Sequence, residues 1–74
     1  MKNTYDTPED FANAVAREGK EGWINGTYLV AGRQVGIKAF GTWVQRIHAD
    51  TLWDNGEFNT QRDMKKFIVD HIGH

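Results

Sequence analysis

Residues 32–50, GRQVGIKAFGTWVQRIHAD, constrain the fold more than any other stretch of the chain. Val35, Ile37 and Ala39 alternate with Gln34, Gly36 and Lys38, the period-two pattern of a half-buried strand. Trp43, Gln45, Ile47 and Ala49 then alternate with Val44, Arg46 and His48. Gly41-Thr42 lies between the two runs, and a glycine opening a two-residue loop suits a type II′ hairpin turn. The pattern assigns Val35, Ile37, Ala39, Trp43 and Ile47 to the inner face. Lys38, Phe40, Val44, Arg46 and His48 then fall on the outer face. The assignment depends on register, because a one-residue slip exchanges the faces.

The flanking sequence supplies elements to cover such a hairpin. Thr7-Pro8-Glu9-Asp10 is a helix start: Thr7 caps, Pro8 suits the first helical position, and the acids favour the positive end of the dipole. Phe11, Ala14, Val15 and Glu18 share a face, with Ala12 and Ala16 beside it, and Gly19 closes the helix. Residues 1–6 read as polar and loose, with Tyr5 able to dock on a core. One strand is expected from about Thr27 to Ala31, with Trp23-Ile24 as a wedge or edge strand. Asn25-Gly26 is the strongest short hairpin signal, and Gly32-Arg33 turns the chain into the central pair. After Asp50 the alternation stops, and residues 51–58 read as a loop or small hairpin ear carrying Trp53 and Phe58. Asn59 or Thr60 caps a second helix, with Asp63 completing a capping box. Met64, Phe67, Ile68, His71 and Ile72 form its apolar stripe up to Gly73. The expected fold class is α+β, a three-stranded antiparallel meander in the order α-β-β-β-α with both helices on one face.

Length makes this one domain, residues 1–74, with room for a single small core. No cysteine is present, so neither disulfides nor thiol chemistry contribute, which fits a reducing, cytoplasmic setting. Three Trp, four Phe and two Tyr supply the apolar area instead. No apolar run approaches the ~18–20 residues needed to cross a bilayer, so no membrane partner is expected. The net charge of −1 argues against general nucleic-acid affinity. Between Ala31 and Ala49, however, the only charged residues are Arg33, Lys38 and Arg46.

The residues give little purchase for catalysis. His48 has Asp50 two positions away, but the chain holds no Ser or Cys to serve as their nucleophile. His71 and His74 lack a third metal ligand placed by spacing. Asp6, Glu9 and Asp10 read as capping, and Asp50, Asp54 and Glu57 lack calcium-loop spacing. Gly32 and Gly36 flank a strand without opening a helix, so no phosphate-binding fingerprint exists. No cofactor, metal or enzymatic activity is expected. The outer sheet face, with Tyr28 or Leu29, Lys38, Phe40, Val44, Arg46 and His48, mixes aromatic, apolar and basic groups, and Trp53 joins it from the loop. That mixture suits a protein interface. It also resembles the sheets on which nucleic-acid bases stack, without the aromatic-rich motif of that module. A solvated sheet face is the plain alternative, and an exposed apolar face also allows pairing into a homodimer.

The segment VGIKAFGTWVQRIHAD, followed by a loop and NTQRDMKKFIVDHI, resembles compact gene products of bacteriophages. The layout of residues 27–72, a small antiparallel sheet with helices on one side, resembles some anti-CRISPR inhibitors of type I systems. The resemblance implies a free-standing, non-enzymatic protein of the host cytoplasm that binds and occludes a host protein complex, such as a CRISPR-Cas surveillance complex. The near-neutral charge departs from the strongly acidic DNA mimics of that group. The expected partner-binding residues are Lys38, Phe40, Val44, Arg46, His48 and Trp53, with nucleic-acid binding by the same face as the alternative.

Overall fold

A computed structural model describes residues 2–18, 23–40, 43–49 and 52–73. The side chains of Trp23, Phe40 and Leu52 lie outside the description. The order is β1 (Thr4–Tyr5), α1 (Pro8–Glu18), β2 (Trp23–Val30), β3 (Arg33–Phe40), β4 (Trp43–Ala49), β5 (Leu52–Asn55) and α2 (Gln61–Ile72). The strands form one sheet in sequence order. β1 pairs parallel with β2, and every later pairing is antiparallel. The α+β class stands, and the expected three-stranded meander is enlarged by a strand at each edge.

The helices begin as their caps dictate. Thr7 Oγ1 accepts from the Asp10 amide at 3.1 Å, and Thr60 Oγ1 accepts from the Asp63 amide at 3.1 Å. At the far end of α2, Gly73 donates its amide to the Val69 carbonyl at 2.8 Å, and the Arg33 guanidinium reaches the Ile72 carbonyl. Gln61 Nε2 donates to the Ala16 carbonyl at 3.1 Å and ties the start of α2 to α1. The expected stop at Gly19 and the Gly41-Thr42 turn lie outside the described residues.

Phe11, Ala14 and Val15 of α1 and Met64, Ile68 and Ile72 of α2 are buried. They share one core with Ile24, Val30, Val35, Ile37, Ala39, Val44, Ile47 and Ala49 of the sheet. Each such aliphatic side chain removed from water contributes about 1.5–3 kcal/mol. Tyr5, Phe11 and Tyr28 complete the core at the β1 edge, with ring centroids 5.3–6.4 Å apart. That apolar contact is why residues 4–5 are ordered against β2 rather than loose.

Four further expectations change. The Asn25-Gly26 pair lies inside a continuous β2, opposite Lys38 and Ile37, and makes no turn. Gly26 holds φ of +154°, which glycine tolerates without the cost a side chain would carry, so the strand runs through. The β2–β3 turn falls at Ala31-Gly32, with φ of 50° and 79°, the two positive angles of a type I′ hairpin, rather than at Gly32-Arg33. Residues 52–55 pair with β4, so Trp53 sits on a strand and not in a loop. Finally, Trp43 and Val44 exchange faces. Lys38 pairs with Arg46 and Ala39 with Val44, which leaves Gln45 as the extra residue of a bulge. The added residue resets the alternation: Val44 is fully buried and Trp43 is 40 % exposed.

Candidate functional site

The helices cover one side of the sheet and leave the other open. From β1 to β5 the register places Thr4, Asn25, Thr27, Leu29, Gln34, Gly36, Lys38, Trp43, Arg46, His48, Trp53 and Asn55 on the open side. None of these is acidic, so the cations Lys38 and Arg46 face solvent with no carboxylate among their described strand neighbours on that face. All three exposed large apolar side chains of the described residues, Leu29, Trp43 and Trp53, are on this side. The described acids lie off the open side of these strands: Asp6 before α1, Glu9, Asp10 and Glu18 on α1, Asp63 and Asp70 on α2, Glu57 just beyond the end of β5, and Asp54 on the inward side of β5. Asp54 there meets His71 of α2, Oδ2 to Nδ1 at 3.0 Å.

The centre of the open face is a stack built across three strands. Gly36 and His48 are cross-strand partners, as are His48 and Trp53. A Cβ on Gly36 would stand 2.2 Å from His48 Nε2, so the imidazole lies where only a glycine leaves room. The Trp53 ring stands edge-on to the imidazole with centroids 4.1 Å apart. The Arg46 guanidinium lies 4.9 Å from the Trp53 ring centroid, a cation–π distance. His48 Nδ1 is buried without a hydrogen-bond partner, so packing against Gly36 and Trp53 holds that side of the ring. Each layer fixes the next: the glycine seats the imidazole, the imidazole braces the indole, and the indole holds the guanidinium. An arginine presented in this way keeps its planar fork of donors and loses less rotamer entropy when a carboxylate or phosphate docks.

Of the residues expected at the site, Lys38, Arg46, His48 and Trp53 come together here. Val44 does not, because the bulge turns it into the core. Phe40 occupies a strand position opposite Trp43 and Trp23, and its side chain lies outside the description. Gly36 and Trp43 belong to the face and were not foreseen there. The signal for Gly36 is a glycine inside a strand, which marks a close approach, but the approaching group is named only by the register. Among the described residues no group of three or more His, Cys, Asp or Glu is placed to hold a metal ion. No described helix is long and apolar enough to cross a membrane.

No family model, curated protein or solved structure matches the chain.

Proposed function

We propose that the chain is a non-enzymatic binding protein that docks its open sheet face on a host protein assembly and occludes it, as the phage-type inhibitors it resembles do; a CRISPR-Cas surveillance complex is one such assembly. The observation that carries this reading is the Gly36–His48–Trp53–Arg46 stack on a face with no acid among its described strand residues. Arginine and tryptophan are the residues on which binding energy concentrates in protein interfaces, and here the two are already in contact before any partner arrives. Lys38 is opposite Arg46 and widens the positive patch, which favours an acidic partner surface.

The same cations and the exposed Trp43 fit a single-stranded nucleic acid, which would stack bases on indoles and pair phosphates with Lys38 and Arg46. Two features favour protein. The Trp53 ring already carries the Arg46 guanidinium, and the whole chain is net −1. The test is affinity capture from nuclease-treated host lysate with wild type, Lys38→Glu and Arg46→Glu. Capture of a defined complex by wild type, reduced at least about tenfold by each charge reversal, supports the reading. Capture undiminished by both removes this face from the argument. Capture that needs intact nucleic acid, with retention falling steeply as salt rises, selects the nucleic-acid reading.

A further inference from the structure

The sheet ends unevenly at the margin of the open face. The seven residues of β4 run from Trp43 to Ala49, whereas β5 pairs only with Arg46 to Ala49. The Gly56 amide donates to the Gln45 carbonyl at 3.3 Å and closes the backbone there, and the chain then runs through residues 57–60 to α2. A groove remains, lined by Trp43, Gln45, Asn55, Phe58 and Asn59, with Glu57 as its one charged residue among the described ones. The fold sets its walls. Gln45 is the extra residue of the β4 bulge, a device that re-aims a side chain. A Cβ on Gly56 would stand 2.5 Å from the Phe58 ring, so the glycine lets that ring fold back. Phe67 of α2 packs on Phe58 with centroids 5.1 Å apart and holds it there.

We infer that this groove binds a guanidinium, and that its occupant is an arginine side chain of the protein partner. The inference rests on the proposed binding face and extends it to the sheet margin. A surface carboxylate commonly pairs with a cation of its own chain. Glu57 is exposed, has no ion-pair or hydrogen-bond partner among the described residues, and shares its groove with no cation. The rest of the lining suits a cation as well. Tryptophan is the aromatic that attracts cations best; Trp43 is 40 % exposed, and Phe58 offers a second ring. The side-chain oxygens of Gln45, Asn55 and Asn59 add neutral acceptors. Arginine fits this set better than lysine. Its planar fork donates two parallel bonds to a carboxylate, its face stacks on an indole, and its further N–H groups serve the amide oxygens. An ammonium is a compact, strongly hydrated point charge with three donors. The chain already makes one such contact internally, where the Arg46 guanidinium lies 4.9 Å from the Trp53 ring centroid. A partner thus meets a cationic face and, beside it, an anionic groove, and the two signs together fix its register.

The experiment is an NMR titration of the full chain with a glycine–arginine–glycine peptide blocked at both ends, and with its lysine and citrulline counterparts. Citrulline keeps the planar group and loses the charge. The arginine peptide should shift the Trp43 indole N–H and the side-chain amides of Gln45, Asn55 and Asn59, with a Kd on the order of 1 mM. Citrulline in the peptide, or Glu57→Gln in the chain, should each weaken binding about tenfold or more, and lysine severalfold. Glu57 is exposed, so this variant keeps the fold. Partner capture from lysate should fall by a similar factor in Glu57→Gln. Absence of arginine binding overturns the inference, as does equal binding of the citrulline or lysine peptide, or capture indifferent to Glu57→Gln. Shifts of the same resonances with protein concentration alone assign the groove to a second copy of the chain and overturn it too. If arginine binding fails while capture still depends on Arg46, the open-face reading stands and the groove assignment falls. If arginine binds as expected and capture responds to Glu57→Gln but ignores Lys38→Glu and Arg46→Glu, the groove assignment stands and the open-face reading falls.

Discussion

Gly36 shows how much of this surface depends on one missing side chain. The position is buried although it points to the open face, because the His48 ring lies on it. Gly36→Ala places a methyl 2.2 Å from Nε2, and the imidazole has to swing outward. The loss of fold stability should stay within about 1–3 kcal/mol, since a side-chain rotation relieves the clash. The effect on the surface should be larger. With its brace displaced, the Trp53 indole loosens and Arg46 loses its platform, so affinity for the captured partner should fall about tenfold or more. Urea denaturation and partner titration read the two effects separately. Unchanged affinity, with His48–Trp53 cross-peaks intact in the NMR spectrum, would contradict the stack as an ordering device. Sequence alone placed Arg46, His48 and Lys38 together, because alternation along one hairpin is enough for that. It could not place Gly36 under the ring, since cross-strand neighbours depend on register.

Among the elements, the inner face of β3 was fully legible, whereas β4 was legible only from Arg46 onward. Val35, Ile37 and Ala39 follow a clean alternation, and all are buried. In β4 the alternation of Trp43 with Val44 is equally clean and gives the wrong answer, because Gln45 is inserted between matched pairs. A bulge has no signature in polarity: Gln45 and Arg46 are simply two polar residues in succession. β1 and β5 escaped notice for a different reason, being short edge strands whose order comes from the core they touch. The contact of β1 with α1 and β2 has a measurable consequence. Burial raises the pKa of the Tyr5 phenol above 10.0, with the nearby Glu18 charge adding to it. Burial and Glu18 raise Tyr28 in the same direction. A raised phenol pKa means that the fold favours the neutral form. The contribution is complete below the unfolded value near pH 10 and is lost as pH rises through the folded values. Stability in urea should therefore fall between about pH 9 and pH 12, with phenolate absorbance appearing in the same transition. Tyr5→Phe should reduce the slope. A flat profile across that window would contradict the burial assigned to the β1 edge.

At the scale of the whole molecule the chain is two-sided. Helices and most of the described acids lie on one side, and an open sheet face with no acid among its described strand residues lies on the other, so a net charge of −1 hides a local positive face. That division follows from economy of core. Two short helices suffice to bury one face of a five-stranded sheet and cannot cover both. The uncovered face could have been uniformly polar. Instead it carries Leu29, Trp43 and Trp53, two of them indoles at the same end as Lys38 and Arg46. If a partner covers this face as proposed, side-chain footprinting with hydroxyl radicals reads it directly, since the tryptophans and the leucine exposed there are reactive. With the captured complex bound, oxidation of Trp43, Trp53 and Leu29 should drop severalfold, while Phe67 and Val69 on α2 keep the rates of the isolated chain. Protection confined to the helices, with Trp43 and Trp53 oxidised as fast in the complex as alone, would contradict the account.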